Sequence, residues 1–130
     1  MKSNQKSQPT VLIVDDESAI VEFISYGLTQ LGYIPLCATD SKGALSQLEA
    51  AKDRMPRLAI IDIAIGSESG LELAHDLVSK TKNLRVLFVS GFVNDMVMID
   101  TLPNGTKTGF LQKVFSLPQL ERAVRELVSN

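Results

Sequence analysis

The chain has a single cysteine, Cys37, which excludes an intrachain disulfide and fits a reducing compartment. Charge of either sign is not in excess. Thirteen Lys and Arg face fifteen Asp and Glu for a net charge of −2, without a block of like charges. That balance argues against electrostatically driven nucleic-acid binding. No apolar run approaches the ~18 residues that a membrane-spanning helix needs. The first nine residues, Met1 to Pro9, carry no apolar core, so they do not read as a signal peptide and are expected to form a loose tail. The cytosol is the expected compartment. What remains is 130 residues that are 45% hydrophobic and 22% charged, the profile of one ordinary globular domain.

The stretch around which this domain is organised is Leu58-Ala59-Ile60-Ile61-Asp62-Ile63-Ala64-Ile65, followed by Gly66 to Gly70. Four apolar residues before Asp62 predict a strand buried on both faces, as in a parallel sheet. A carboxylate in such a run is costly unless it sits at the strand end, facing a partner or a metal.

On either side of that strand the hydrophobic period alternates. Thr10 to Val14 predict a first strand, ending at Asp15-Asp16-Glu17. Ile20, Ile24, Leu28 and Leu31 share a helical face, with Gly32 as C-terminal cap. Tyr33 to Ala38 predict a second strand, placed at the sheet edge by Pro35. Asp40 caps a second helix carrying Ala44, Leu45, Leu48 and Ala51, which Pro56 ends. A third helix presents Leu71, Ala74, Leu77 and Val78; Leu84 to Val89 form a fourth strand, ending at Ser90-Gly91. A short fourth helix is expected around Val93, Met96, Val97 and Met98, and a brief fifth strand at Phe110-Leu111 leads to Gln112-Lys113. Ser116 and Gln119 form a capping box for a last helix bearing Leu120, Val124, Leu127 and Val128. Five strands alternating with five helices predict an α/β fold, a doubly wound parallel sheet with right-handed crossovers and helices on both faces.

Ligands of such sheets bind outside the carboxyl ends of the strands. The residues there are Asp15, Asp16, Asp62, Ser90 and Lys113. Three crowded carboxylates repel one another unless a cation joins them. Their hard oxygens suit Mg²⁺, which bridges carboxylate and phosphoryl oxygens. Lys113 supplies a second charge and Ser90 a donor for the remaining phosphoryl oxygens. Asp62 is then placed to attack phosphorus and form an aspartyl phosphate. Singly, each residue has a plainer reading. Asp15-Asp16 suit a helix N-terminus, Ser90 a turn and Lys113 a solvated loop; the combination favours the site. His75 reads as a surface or boundary residue, Met96 and Met98 as packing residues, and Cys37 as a small buried apolar one.

Val11 to Glu17, Asp62 with Gly70 eight residues on, Val89-Ser90-Gly91 and Phe110-Leu111-Gln112-Lys113 together resemble the receiver domain of bacterial response regulators. The resemblance covers Thr10 to Asn130, so residues 10–130 are taken as the receiver and 1–9 as a flexible tail. It implies strand order 2-1-3-4-5 and transfer of a phosphoryl group to Asp62 from a phosphohistidine on a sensor kinase or histidine phosphotransfer protein. Asp16, Asp62 and the Ala64 carbonyl would ligate Mg²⁺ directly, with Asp15 acting largely through water. Lys113 would pair with the acceptor or its phosphoryl group, Ser90 would move to meet it, and Phe110 would turn inward as the aromatic switch. The signal would leave through the surface of the fourth helix, fifth strand and fifth helix to a downstream protein target. A phosphorylation-linked homodimer is compatible with this scheme. No enzyme activity beyond its own phosphorylation and dephosphorylation is implied, and neither nucleic acid nor membrane is a direct partner.

The sequence departs from the family where Val114 stands in place of the usual proline after the lysine. A non-proline cis bond costs ~2.5–4 kcal/mol, so a trans bond and some displacement of Lys113 are expected. Ala64 and Phe92 occupy the positions that modulate hydrolysis in the family. Neither side chain orients a water, so slow self-dephosphorylation is expected. Competing functions are weaker. A phosphatase of the haloacid dehalogenase type places a second acid where Ala64 stands, and Asp15-Asp16-Glu17 would repel a flavin phosphate. A degenerate receiver acting as a phosphorylation-independent interaction module is the main alternative. The chain is expected to be either a stand-alone receiver or a piece of a longer protein.

Overall fold

A computed structural model describes residues 9–96, 102–103 and 105–129. Five parallel strands form the main sheet: β1 (Thr10–Val14), β2 (Ile34–Ala38), β3 (Leu58–Asp62), β6 (Arg85–Ser90) and β7 (Thr108–Gln112). Between β3 and β6 lies a two-residue-per-strand antiparallel hairpin, β4 (Ala64–Ile65) and β5 (Glu68–Ser69). Four α-helices are described: α1 (Ser18–Gln30), α2 (Ser41–Ala51), α3 (Gly70–Lys80) and α4 (Leu117–Val128). The sheet order β2-β1-β3-β6-β7 is the expected 2-1-3-4-5 when the main strands alone are counted. β3 is central, and β2, which carries Pro35, is an edge strand.

Strand alternation builds two cores. Leu12 and Val14, Ala59 and Ile61, and Val86 and Phe88 face Ala44 and Leu48 of α2 and Leu73, Ala74 and Leu77 of α3. Their neighbours Val11, Ile13, Leu58, Ile60, Leu87 and Val89 face Val21, Ile24 and Leu28 of α1 and Leu120, Val124 and Leu127 of α4. Both faces of β1 and β3 are therefore dry, which is why these strands read as unbroken apolar runs.

Local signals match the observed ends. The Asp40 carboxylate accepts from Gly43 N–H at 2.7 Å, and Ser116 and Gln119 complete the capping box. Gly32 has φ +93°, which favours glycine. Several expectations change. Leu73 replaces Leu71 and Val78 as a fully buried residue of α3; those two pack at the margin of the core. Cys37 is half-buried because the edge strand has no neighbour on one side. The loop after Asp62 is folded as the β4–β5 hairpin. Residues 93–96 of the expected fourth helix form a 3₁₀ turn, while Val97 and Met98 lie outside the described residues. His75 is exposed, as expected of a surface histidine.

Candidate functional site

Strand ends bring the site together. Asp15 directly follows β1, Asp62 closes β3, Ser90 closes β6 and Lys113 directly follows β7. Asp62 pairs in register with Val89, one residue before Ser90. The ladder continues past the strands: Ile63 N–H donates to Val89 O at 3.0 Å, and Lys113 N–H donates to Ser90 O at 2.7 Å. Gly70 N–H donates to Ile63 O at 2.7 Å, and a Cβ on Gly70 would collide with the Asp62 carbonyl oxygen. Only glycine allows α3 to start this close to the strand end.

Asp15, Asp62 and Ser90 are almost wholly buried, at 0%, 6% and 4% exposure, while Asp16 is exposed. Lys113 Nζ sits among the acids, 2.7 Å from Asp62 Oδ2, 2.9 Å from Asp15 Oδ2 and 3.4 Å from Glu17 Oε1. The contact to Asp62 is a hydrogen bond. The contact to Asp15 is an ion contact without hydrogen-bond alignment, which leaves buried Asp15 Oδ2 without a donor. Asp15 Oδ1 accepts from Glu17 N–H at 2.9 Å, and Asp62 Oδ1 accepts from Ala64 N–H at 3.0 Å. Glu17 is the N-cap residue of α1 and makes no side-chain cap, and neither Asp15 nor Asp16 serves as one. The plain capping reading of the acidic run does not hold.

Burial pushes the Asp62 carboxyl above its ordinary pKa. The Lys113 hydrogen bond and the Ala64 N–H oppose that rise, and the Asp15 charge adds to it. Burial acts to lower the Lys113 pKa, but the hydrogen bond it donates to Asp62 and the interactions with Asp15 outweigh it, so the ammonium is held charged more firmly than in water. One lysine thus balances a carboxylate cluster that exceeds it in charge.

That surplus suits a divalent cation. Asp15, Asp16 and Asp62 each present one oxygen within 4.8 Å of the others. The donors are hard oxygens, and Asp15 Oδ2 accepts no hydrogen bond, its contact being the Lys113 ammonium at 2.9 Å. Ala64 lies next to Asp62 in the hairpin, its N–H turned to Asp62 Oδ1. Phe110 is half-buried on β7, in register with Phe88, and packs against the α2–α3 core.

Two results differ from the sequence reading. The Lys113–Val114 peptide is cis, not trans, and Lys113 is not displaced from Asp62. Its flanks are set by tertiary contacts that an isolated dipeptide lacks: Lys113 by its N–H to Ser90 and its ion contacts, Phe115 by burial beside Phe23 at a ring distance of 6.0 Å. Phe92, which the resemblance places at a position that modulates hydrolysis, is 74% exposed. Sequence reading also missed two residues. Glu17 was visible only as the third acid of its run. Asp95, whose Oδ2 accepts from Ser90 Oγ at 2.6 Å, stands in no pattern that marks it.

The profile of the response regulator receiver domain matches residues 11–125. The chain is 31% identical over 121 residues to sensor kinase CckA of Brucella abortus, covering 93% of this chain and 13% of that protein. It is 31% identical over 121 residues to the probable transcriptional regulatory protein TcrX of Mycobacterium tuberculosis, covering 92% of this chain and 49% of that one. The receiver domain of NtrX from Brucella abortus superposes with a TM-score of 0.77 at 27% identity, covering 92% of this chain and 98% of that one. A CheY-like receiver domain from Methanospirillum hungatei superposes at 0.78 with 23% identity, covering 92% and 93%, a likeness of fold. The acidic rim on a 2-1-3-4-5 sheet and the match across nearly the whole chain agree: the chain belongs to the response regulator receiver domains, the receiving modules of two-component signalling.

Proposed function

We propose that Asp62 is the phosphoacceptor of a Mg²⁺-dependent switch. The observation that carries this reading is the Asp62 carboxylate at the tip of the central strand, 2.7 Å from Lys113 Nζ and within the Asp15–Asp16 cluster. The donor is a phosphohistidine of a sensor kinase or histidine phosphotransfer protein. An Asp62 oxygen forms the new P–O bond as the P–N bond to the donor imidazole breaks. The electron pair leaves with the imidazole nitrogen, which takes a proton from solvent. Lys113 orients Asp62 through Oδ2 and offers its charge to the transferred group, while Ala64 N–H holds Oδ1. Asp15, Asp16 and Asp62, with the Ala64 carbonyl, are the residues that would hold Mg²⁺. When bound, it supplies charge neutralisation for the phosphoryl oxygens.

The new charge at Asp62 draws the Ser90 hydroxyl, and Phe110 moves inward to follow, changing the surface beside β7 and α4 for a downstream protein or a second copy of the chain. The chain acts on no other substrate; it catalyses only its own phosphorylation and hydrolysis. A cytoplasmic location fits this role, and among the described residues no helix is long and apolar enough to cross a membrane. Incubation with acetyl phosphate and Mg²⁺, read by intact mass, tests the proposal. Wild type should gain one phosphoryl group and Asp62→Asn none. An unchanged wild type would favour a phosphorylation-independent interaction module, and a gain surviving Asp62→Asn would place the nucleophile elsewhere.

A further inference from the structure

Ser90 ends β6 at the rim of the site, yet its only hydroxyl proton is committed elsewhere. Ser90 Oγ donates to Asp95 Oδ2 at 2.6 Å and accepts from Phe92 N–H at 3.0 Å. Asp95 N–H donates in turn to Phe92 O at 3.1 Å, closing residues 90–95 into a compact turn. A hydroxyl has one proton to give, so it cannot serve Asp95 and a phosphoryl oxygen together. A 2.6 Å hydroxyl–carboxylate bond is of the charge-assisted kind, about twice as strong as a neutral one. Ser90 is 4% exposed, which limits replacement of this bond by water. Its backbone is pinned in the sheet, with its carbonyl accepting from Lys113 N–H at 2.7 Å. Exchange between partners therefore falls to rotation of the Ser90 side chain.

We propose that Asp95 is a positioning residue that latches the Ser90 hydroxyl in the unphosphorylated protein, so that phosphorylation must take this proton from Asp95. The inference rests on Asp62 being the phosphoacceptor. A latch on the resting form lowers the population ready to receive a phosphoryl group, and apparent affinity falls in the same proportion.

The test is calorimetric titration with beryllium fluoride, a phosphoryl analogue, in the presence of Mg²⁺. It compares wild type, Asp62→Asn, Asp95→Ala, Asp95→Asn, Ser90→Ala and Ser90→Ala/Asp95→Ala, with amide spectra reporting the Phe92 N–H. Asp95→Ala should tighten binding about tenfold and Asp95→Asn by less, since a neutral amide oxygen still accepts from Ser90, though more weakly than a carboxylate. The Phe92 amide signal should shift in the free protein. In the Ser90→Ala background, Asp95→Ala should change binding by less than about twofold, because no hydroxyl remains to release. Equal tightening with and without Ser90 would overturn the latch in favour of simple charge removal. Unchanged binding in Asp95→Ala would overturn it as well, with the acceptor assignment intact. Absence of Asp62-dependent binding in every variant would overturn the acceptor assignment and the latch with it.

Discussion

Lys113 Nζ lies 2.7 Å from Asp62 Oδ2, joining the ends of two strands 51 residues apart in the chain. The same ammonium contacts Asp15, so one cation holds two buried carboxylates together. Its loss leaves both uncompensated.

Lys113→Met should therefore destabilise the metal-free protein by about 3 kcal/mol, the scale of breaking a buried pair from one side. Added Mg²⁺ should restore part of the loss. The folded pKa of Lys113 stands above its ordinary 10.5. Its stabilisation is thus fully present below pH 10.5 and is lost as pH rises through the higher folded value. Urea unfolding of both proteins should show their stabilities converging in strong alkali.

Asp62→Asn should raise stability in the absence of metal. The folded pKa of Asp62 is raised, so the folded state binds this proton more tightly than the unfolded state. The favourable contribution is present in acid, below the ordinary value of 3.8, and is lost as pH rises through the folded pKa. At neutral pH the charged carboxylate is a cost that the amide removes. A gain of about 1 kcal/mol would appear as a rise of ~3–4 °C in Tm. A lower Tm would contradict the electrostatic account.

Mg²⁺ should stabilise the wild type in proportion to its binding, by about 2.7 kcal/mol at a concentration 100-fold above Kd. Asp16 is exposed, so Asp16→Ala should leave the metal-free Tm within about 2 °C while removing most of the Mg²⁺ effect. Thermal melts across a Mg²⁺ series separate the two.

Gly70→Ala would press a methyl group into the Asp62 carbonyl. Because the obstacle is backbone, either the start of α3 or the tip of β3 must shift, at about 3 kcal/mol. Denaturant midpoints should fall, and the rate of acetyl phosphate labelling should fall beyond the loss of folded protein.

Ala64, whose N–H donates to the proposed acceptor Asp62, is exposed and brings no polar side chain to a hydrolytic water. The phosphorylated form should therefore be long-lived. Ala64→Asn should shorten its lifetime roughly tenfold, less than the ~10²–10⁴ that a full general base contributes. Intact mass against time after donor removal gives the rate.

The residues of the rim were legible because apolar strands make their polar ends stand out. Asp62 after four buried residues and Lys113 after Phe110-Leu111 each mark where a strand leaves the core. The β4–β5 hairpin was not legible, since two-residue strands have no period to read. Burial in α3 falls on Leu73, Ala74 and Leu77, with Leu71 and Val78 at the margin, because which part of an apolar stripe is covered is set by what it packs against.

By itself, the sequence determined the alternation of strands and helices, the caps at Asp40 and Ser116, and which side chains stand at the strand ends. These are local matters of hydrophobic period and hydrogen-bonding reach. Only the tertiary structure decided that Lys113 contacts Asp62, Asp15 and Glu17 together, that its bond to Val114 is cis, and that the Ser90 proton belongs to Asp95. Each depends on where separate segments meet after the sheet has closed. Charge and hydrogen bonding act over a few ångströms of space, and spacing along the chain does not set that distance.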